Sequence, residues 1–357
     1  MKKLDDLLLF KKQDPGDMLR RVAKLPWQCR DAWARVMSLD LPEDERTVRN
    51  IVILGIGGSA IGGDLLRTLV AFECPVPIVV NRDYTLPAFV GPETLAIASS
   101  YSGNTEETLT ALALAHRAGA RLVAFTTGGK VAARAREWGI PLFSYDYAAQ
   151  PRAALGYSLI PLLGLLNKLG LVSDKAADVE EAAGVMEAWQ GEICETVPFE
   201  QNAAKQLAVR LKDRLPMVYG GGYVSEVARR WKGQFNENAK HWGAFEQMPE
   251  LNHNAVVGYD WPGELAEKIF VVMLRSSLDT PRNQVRFKVT AEILAHKGVA
   301  CQAVHARGQS PLAQMLSAIH FGDYVSYYLA MLDGADPTPV ETINYLKGRL
   351  AEATVGT

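Results

Sequence analysis

The stretch Ile51-Val52-Ile53-Leu54-Gly55-Ile56-Gly57-Gly58-Ser59-Ala60-Ile61-Gly62-Gly63-Asp64 decides the reading of this chain. Four consecutive apolar residues specify a strand buried on both faces, and the glycines after them specify a tight turn that opens a helix. Backbone N–H groups in such a turn converge on an oxyanion, and the N-terminus of the following helix adds partial positive charge. The stretch is therefore a phosphate cradle, with Gly57, Gly58 and Ser59 placed against the anion. These residues alone leave the kind of phosphate open, because Gly55-x-Gly57-x-x-Ala60 also fits the loose dinucleotide fingerprint.

Working outward, strand and helix signals alternate. Residues 51–54, 77–80, 95–99, 121–126 and 141–143 read as short buried strands, with helices expected over 64–72, 105–118 and 130–138. That pattern predicts βαβ units on a parallel sheet. Strand signals vanish over 151–199, where helical periodicity takes over, and resume at 217–219, 269–274 and 299–303, between helices over 223–238, 284–297 and 312–332. The turn Gly220-Gly221-Gly222-Tyr223 repeats the first strand-turn-helix in type but not in sequence, so the expected fold class is α/β with two related, doubly wound parallel-sheet domains flanked by helices. The expected organisation is a helical segment over 1–49 with Trp27 and Trp33 as packing anchors, a phosphate-anchoring domain over 50–150 and bridging helices over 151–199. A second domain follows over 200–335, and after the break Asp336-Pro337-Thr338-Pro339 a last helix over 340–350 lies within the segment 336–357.

Composition agrees with two domains. The chain has 357 residues, of which 48% are hydrophobic and 22% charged, as in an ordinary soluble globular protein. A formal net charge of −2 gives no reason to expect nucleic acid or an anionic membrane as partner. Cys29, Cys74, Cys194 and Cys301 lie far apart without metal-type spacing, which points to free thiols in a reducing compartment. The start Met1-Lys2-Lys3-Leu4-Asp5-Asp6 is charged where a signal peptide needs an apolar core, so a cytoplasmic location is expected.

The second informative loop is Ser99-Ser100-Tyr101-Ser102-Gly103-Asn104-Thr105-Glu106-Glu107-Thr108. Thr105 suits the N-cap of the helix that follows. Loops leaving the C-terminal ends of neighbouring parallel strands converge on one crevice, which gathers Ser59, Ser100, Ser102 and Thr105 about one spot. Clustered hydroxyls and amides suit a terminal phosphate monoester. The dinucleotide reading lacks its ribose-binding carboxylate, since the second strand ends Val79-Val80-Asn81-Arg82; only Arg82, as a 2′-phosphate partner, speaks for it.

The runs GIGGSAIGGD (55–64) and SYSGNTEET (100–108) resemble the signatures of the sugar isomerase (SIS) domain family. Within it, the chain resembles the bifunctional phosphoglucose/phosphomannose isomerases. The resemblance continues in order through Pro151-Arg152-Ala153-Ala154-Leu155-Gly156-Tyr157, Phe235-Asn236-Glu237-Asn238-Ala239-Lys240, Pro249-Glu250-Leu251-Asn252-His253-Asn254 and Pro337-Thr338-Pro339-Val340 with Leu346-Lys347. It implies two SIS domains, a homodimer, and interconversion of glucose 6-phosphate or mannose 6-phosphate with fructose 6-phosphate without metal or other cofactor. It also implies Glu237 as the base that shuttles the proton. His253, supplied by the partner subunit, and Lys347 are implied in ring opening.

Aldose–ketose isomerisation itself asks for a phosphate anchor, an acid/base pair to open the ring, a base for the C1–C2 proton and a cation near the enediolate. His253 stands on a loop where a histidine has little packing to do, and its ordinary pKa suits proton transfer near neutrality. Arg152 opens the bridging helix, where a cation is disfavoured by the helix dipole and so points to function. Lys347 carries no local signal beyond the resemblance. One position departs from the family pattern: Ala255 follows Asn-His-Asn where a glutamate is common. Two alternatives share the phosphate anchor: a sugar-phosphate-sensing SIS protein without catalysis, and an amino-sugar phosphate isomerase or etherase.

Overall fold

The computed structural model describes residues 2–41 and 48–353. Three helices, α1 (Leu7–Gln13), α2 (Met18–Ala23) and α3 (Leu25–Met37), lead into the first sheet. There follow β1 (Asn50–Leu54), α4 (Gly58–Leu69), β2 (Ile78–Asn81), β3 (Thr94–Ser99), α5 (Glu106–Arg117), β4 (Arg121–Thr126), α6 (Gly129–Glu137) and β5 (Leu142–Ser144). All pairings are parallel, in the order β2-β1-β3-β4-β5. Helices α7 (Leu155–Lys168), α8 (Ala176–Ile193) and α9 (Ala203–Leu211) connect this sheet to a second one. That sheet is built from β6 (Leu215–Gly221), α10 (Ser225–Gln234), β7 (Ala244–Met248), α11 (Leu265–Lys268), β8 (Ile269–Arg275), α12 (Pro281–His296) and β9 (Ala300–His305). It is again parallel, in the order β7-β6-β8-β9, and is followed by α13 (Pro311–Asp333) and α14 (Glu341–Glu352).

The two sheets share one plan. β1 has β2 on one side and β3 on the other, as β6 has β7 and β8, so each sheet reverses winding beside its first strand. Crevices for ligands open at such switch points, outside the carboxyl ends of the strands. The largest apolar cluster lies between the sheets and draws on α3, α7, α8 and α13. Every residue of α13 from Leu312 to Leu332 is buried. Among the described residues, no helix is long and apolar enough to cross a membrane.

Several expectations shift. The helix expected over 64–72 begins at Gly58, and Gly62 and Gly63 belong to its body. They are small for packing rather than for turning. A Cβ at Gly62 would stand 2.4 Å from the Ser158 carbonyl oxygen of α7, and one at Gly63 would press on Ile53 and Val80. β7 has no counterpart among the expected strands: its residues Ala244-Phe245-Glu246-Gln247-Met248 sit at the sheet edge, are half-buried except Met248, and show no apolar run. Trp27 is 48% exposed and lies over Tyr147, so it is no packing anchor, whereas Trp33 does pack against the main core. Thr105 occupies the N-cap of α5, but its side chain makes no cap hydrogen bond. The last helix is exposed throughout residues 341–350.

Candidate active site

The turn after β1 passes through Gly57, whose φ of +56° and ψ of −123° favour glycine. Residues Ser59 and Ser100 are buried, and the loop hydroxyls are already organised around the turn. The amide of Tyr101 donates to Ser59 Oγ at 3.2 Å, Ser100 Oγ and Thr105 Oγ1 lie 3.1 Å apart, and the amides of Gly103 and Asn104 donate to Ser100 Oγ and Ser102 Oγ at 3.2 Å each. Thr105 thus bonds Ser100 instead of capping α5. Turn and loop form one polar floor, as the parallel-strand argument requires.

Gly58 carries that floor to Arg152. A Cβ at Gly58 would lie 3.1 Å from the Pro151 carbonyl and 3.3 Å from the Arg152 nitrogen, a tight fit that a side chain could take only by moving one backbone a few tenths of an ångström. Arg152 is 2% exposed and engages all three guanidinium nitrogens with fixed partners, leaving one Nη1 N–H uncommitted among the bonds to described residues. Nε donates to Asn238 Oδ1 at 2.6 Å, Nη1 to Glu237 Oε2 at 3.2 Å, and Nη2 to the carbonyls of Pro337 and Thr338 at 2.5 and 2.9 Å. Burial lowers its pKa, and the Glu237 carboxylate opposes that shift. Four remote segments of the chain therefore meet at one cation.

Glu237 lies in a π-helical turn, Phe235–Ala239, that extends α10. Such wide turns interrupt α-helices at functional sites because they re-aim one residue. Lys240, in left-handed conformation at φ 56°, closes the turn. Its ammonium donates to the carbonyls of Glu237 at 2.9 Å and Asp336 at 2.6 Å. Loss of solvent, with the nearby Arg152 charge, brings the Lys240 pKa down to about 8. Behind the turn, Arg230 pairs with the buried Asp323 of α13 at 3.1 Å and donates to the Arg152 carbonyl at 2.7 Å. Gln234 and Asn238 complete that buried polar face, bonding Asp323 and Ser326 at 2.8 and 3.0 Å.

A cleft of about 300 Å³ opens over these groups, lined by Gly57, Gly58, Arg82, Arg152, Arg229, Arg230, Lys232 and Glu237 among others. Five cations line it beside the Glu237 carboxylate, of which Arg82, Arg229 and Arg230 are paired with Asp64, Glu226 and Asp323. Arg152 and Lys232 leave the cleft with cationic character beside that carboxylate. Arg82 is held by Asp64 of α4, so the residue that suited a nucleotide 2′-phosphate already has an anion. On its far side Glu237 also borders a cleft of about 440 Å³ walled by Lys240, Asp336 and the first turn of α14.

Other expected residues lie apart. His253 is exposed in a short 3₁₀ turn, Glu250–His253, beyond the carboxyl end of β7. Glu237 lies past the opposite end of α10, near the start of β6, where the adjoining His241 bonds the Arg214 carbonyl at 2.7 Å. At ~1.5 Å of rise per residue, the ten residues of α10 separate its two ends by roughly 15 Å. Lys347 is exposed on α14 and borders neither cleft.

The second half of the chain, residues 200–350, matches the family model of the bacterial phospho-glucose isomerase C-terminal SIS domain. A bifunctional phosphoglucose/phosphomannose isomerase of Caldicellulosiruptor bescii is 43% identical over 336 residues, covering 94% of this chain and 99% of that protein. The chain belongs to the bifunctional phosphoglucose/phosphomannose isomerase family. A second member, from Aquifex aeolicus, is 35% identical and covers 87% of the chain and 93% of its own length. A glucose-6-phosphate isomerase like protein from Thermus thermophilus shares the fold at a TM-score of 0.64 and 20% identity, over 95% of this chain and 99% of that one.

Within this phosphoglucose/phosphomannose isomerase fold, Arg230 and Gln234 were not singled out from the sequence, and Asn238 and Lys240 entered only as members of the run around Glu237, with no role of their own. A signal existed for three of them. Residues 226, 230, 234 and 238 recur every four positions, and all four are polar and buried on one helix face. Polar residues at an inward helical period mark a buried network rather than a solvated surface.

Proposed function

We propose that the chain interconverts glucose 6-phosphate and mannose 6-phosphate with fructose 6-phosphate by proton transfer through a cis-enediol, as a cytoplasmic homodimer without metal. The observation that carries the reading is the contact of buried Arg152 with Glu237 in a cleft that reaches Gly57 and Gly58. The substrate phosphate sits on Gly57, Gly58 and Ser59 with Ser100, Ser102 and Thr105 around it. Glu237 takes the C2 proton of the open aldose as a general base and returns it to C1, while the O2 hydroxyl proton passes to O1. Arg152 faces the enediolate that forms between the two steps and lowers its energy electrostatically.

Ring opening falls to His253 and Lys347. His253 lies beyond one end of α10 and Glu237 past the other, ends that ~1.5 Å of rise per residue puts roughly 15 Å apart, and this separation supports delivery of the histidine by a partner subunit. Lys347 acts from α14, whose first turn borders the cleft on the Glu237 side. A coupled assay on each aldose phosphate, with excess chelator, tests the proposal. Turnover of both is expected. No turnover of either refutes the isomerase reading, and chelator-sensitive turnover refutes the metal-free mechanism.

A further inference from the structure

The repeated plan of the two sheets gives the second one a cradle of its own. β6 ends in Gly220-Gly221-Gly222 as β1 ends in Gly55-Ile56-Gly57, and Gly222 has φ +50° where Gly57 has +56°. β8 is followed by Ser276-Ser277-Leu278-Asp279-Thr280 as β3 is followed by the Ser100–Thr105 loop. Ser276 and Ser100 are each the first residue past the strand, both buried, and Thr280 and Thr105 are each the N-cap of the next helix. The crevices thus correspond element by element.

What fills them differs. Among the described residues, nothing comes within 4 Å of a Cβ position at Gly57. At Gly222 the same position is met by Asp279 Oδ1 at 3.1 Å. The other carboxylate oxygen of Asp279 accepts the Ser276 amide at 3.3 Å. The carboxylate therefore spans from glycine turn to serine loop, the gap a phosphate would bridge in the first domain. Asp279 is 6% exposed, and Oδ1 has no hydrogen-bond partner among the described residues. A buried acceptor left unpaired over an open glycine is expensive, and a simple loop-closing aspartate would need only its bond to Ser276.

We propose that the second domain retains a phosphate-monoester site which its own Asp279 occupies as an internal anion. One chain therefore holds one sugar phosphate, in the first cradle. The inference rests on reading that first cradle as the phosphate anchor. Removing the carboxylate while keeping the glycines should reopen the second site.

The test is Asp279→Ser in the full chain, crystallised with tungstate as a heavy phosphate analogue. Anomalous density between Gly222 and Ser276, absent in wild type, is expected. No density there overturns the inference, whether or not the first cradle is filled; no density beside Gly57 and Ser100 counts separately against the phosphate anchor. Titration of inorganic phosphate should show two equivalents per chain in the variant and one in wild type. Should Asp279→Ser and Asp279→Ala both fold poorly, phosphate must restore their thermal transition, and failure to restore it overturns the inference.

Discussion

Replacing Arg152 by lysine keeps the charge and removes the fork. The guanidinium reaches four acceptors: Asn238 Oδ1, Glu237 Oε2 and the carbonyls of Pro337 and Thr338. A lysine ammonium presents its donors from a single point and cannot span them. At least two acceptors are left unpaired, at ~1–3 kcal/mol for each buried group, so the variant should lose about 2–6 kcal/mol of stability. The kinetic cost falls mainly on the enediolate, which exists only along the reaction path. A loss of about 3 kcal/mol there is roughly a hundredfold in kcat, with a smaller change in KM. The urea midpoint followed by tryptophan fluorescence gives the first quantity and the coupled isomerase assay the second. A variant within roughly threefold of wild-type kcat, a difference under ~1 kcal/mol, would refute the keystone role assigned to Arg152.

Two further outcomes follow from the same geometry. Glu237→Gln should abolish isomerisation while 5-phosphoarabinonate still binds, because the phosphate floor is untouched; retained activity would reassign the base. His320 of α13 is fully buried and its pKa is pushed down to about 3, so between that value and its ordinary 6.5 the unfolded chain binds a proton that the folded chain refuses. Stability should therefore fall as pH drops from 6.5 towards 3, and His320→Gln should flatten that slope in urea titrations at successive pH values; an unchanged slope would show that other groups set it.

Legibility in the sequence followed the range of the interactions involved. Strands β1, β3 and β4 were readable because burial on both faces leaves unbroken apolar runs, and the Ser100 loop because hydroxyls cluster locally. β7 was not, since an edge strand of Phe245, Glu246 and Gln247 draws its order from pairing with β6. The start of α4 was misjudged because glycine reads locally as a turn, whereas Gly62 is set by Ser158 of α7. Motif matching named Arg152 and Glu237, yet no local pattern announces that they touch. Their contact depends on α7, α10 and the Pro337–Thr338 carbonyls meeting in space.

The clasp on Arg152 also has a temporal side. Thr338 is pressed against Gly16 and lies 3.5 Å from Asp14, while its carbonyl and that of Pro337 hold Arg152. The segment near the beginning of the chain, the guanidinium in the middle and the loop near the end complete one another. During synthesis the first sheet has all its strands once residue 144 has emerged, and the second once residue 305 has. Arg152 gains its last two acceptors only with residues 337 and 338, after which α14 is still to come. Released chains truncated just before this loop should present folded sheets and a loose Arg152, so catalytic competence arrives as a late event in the life of each molecule.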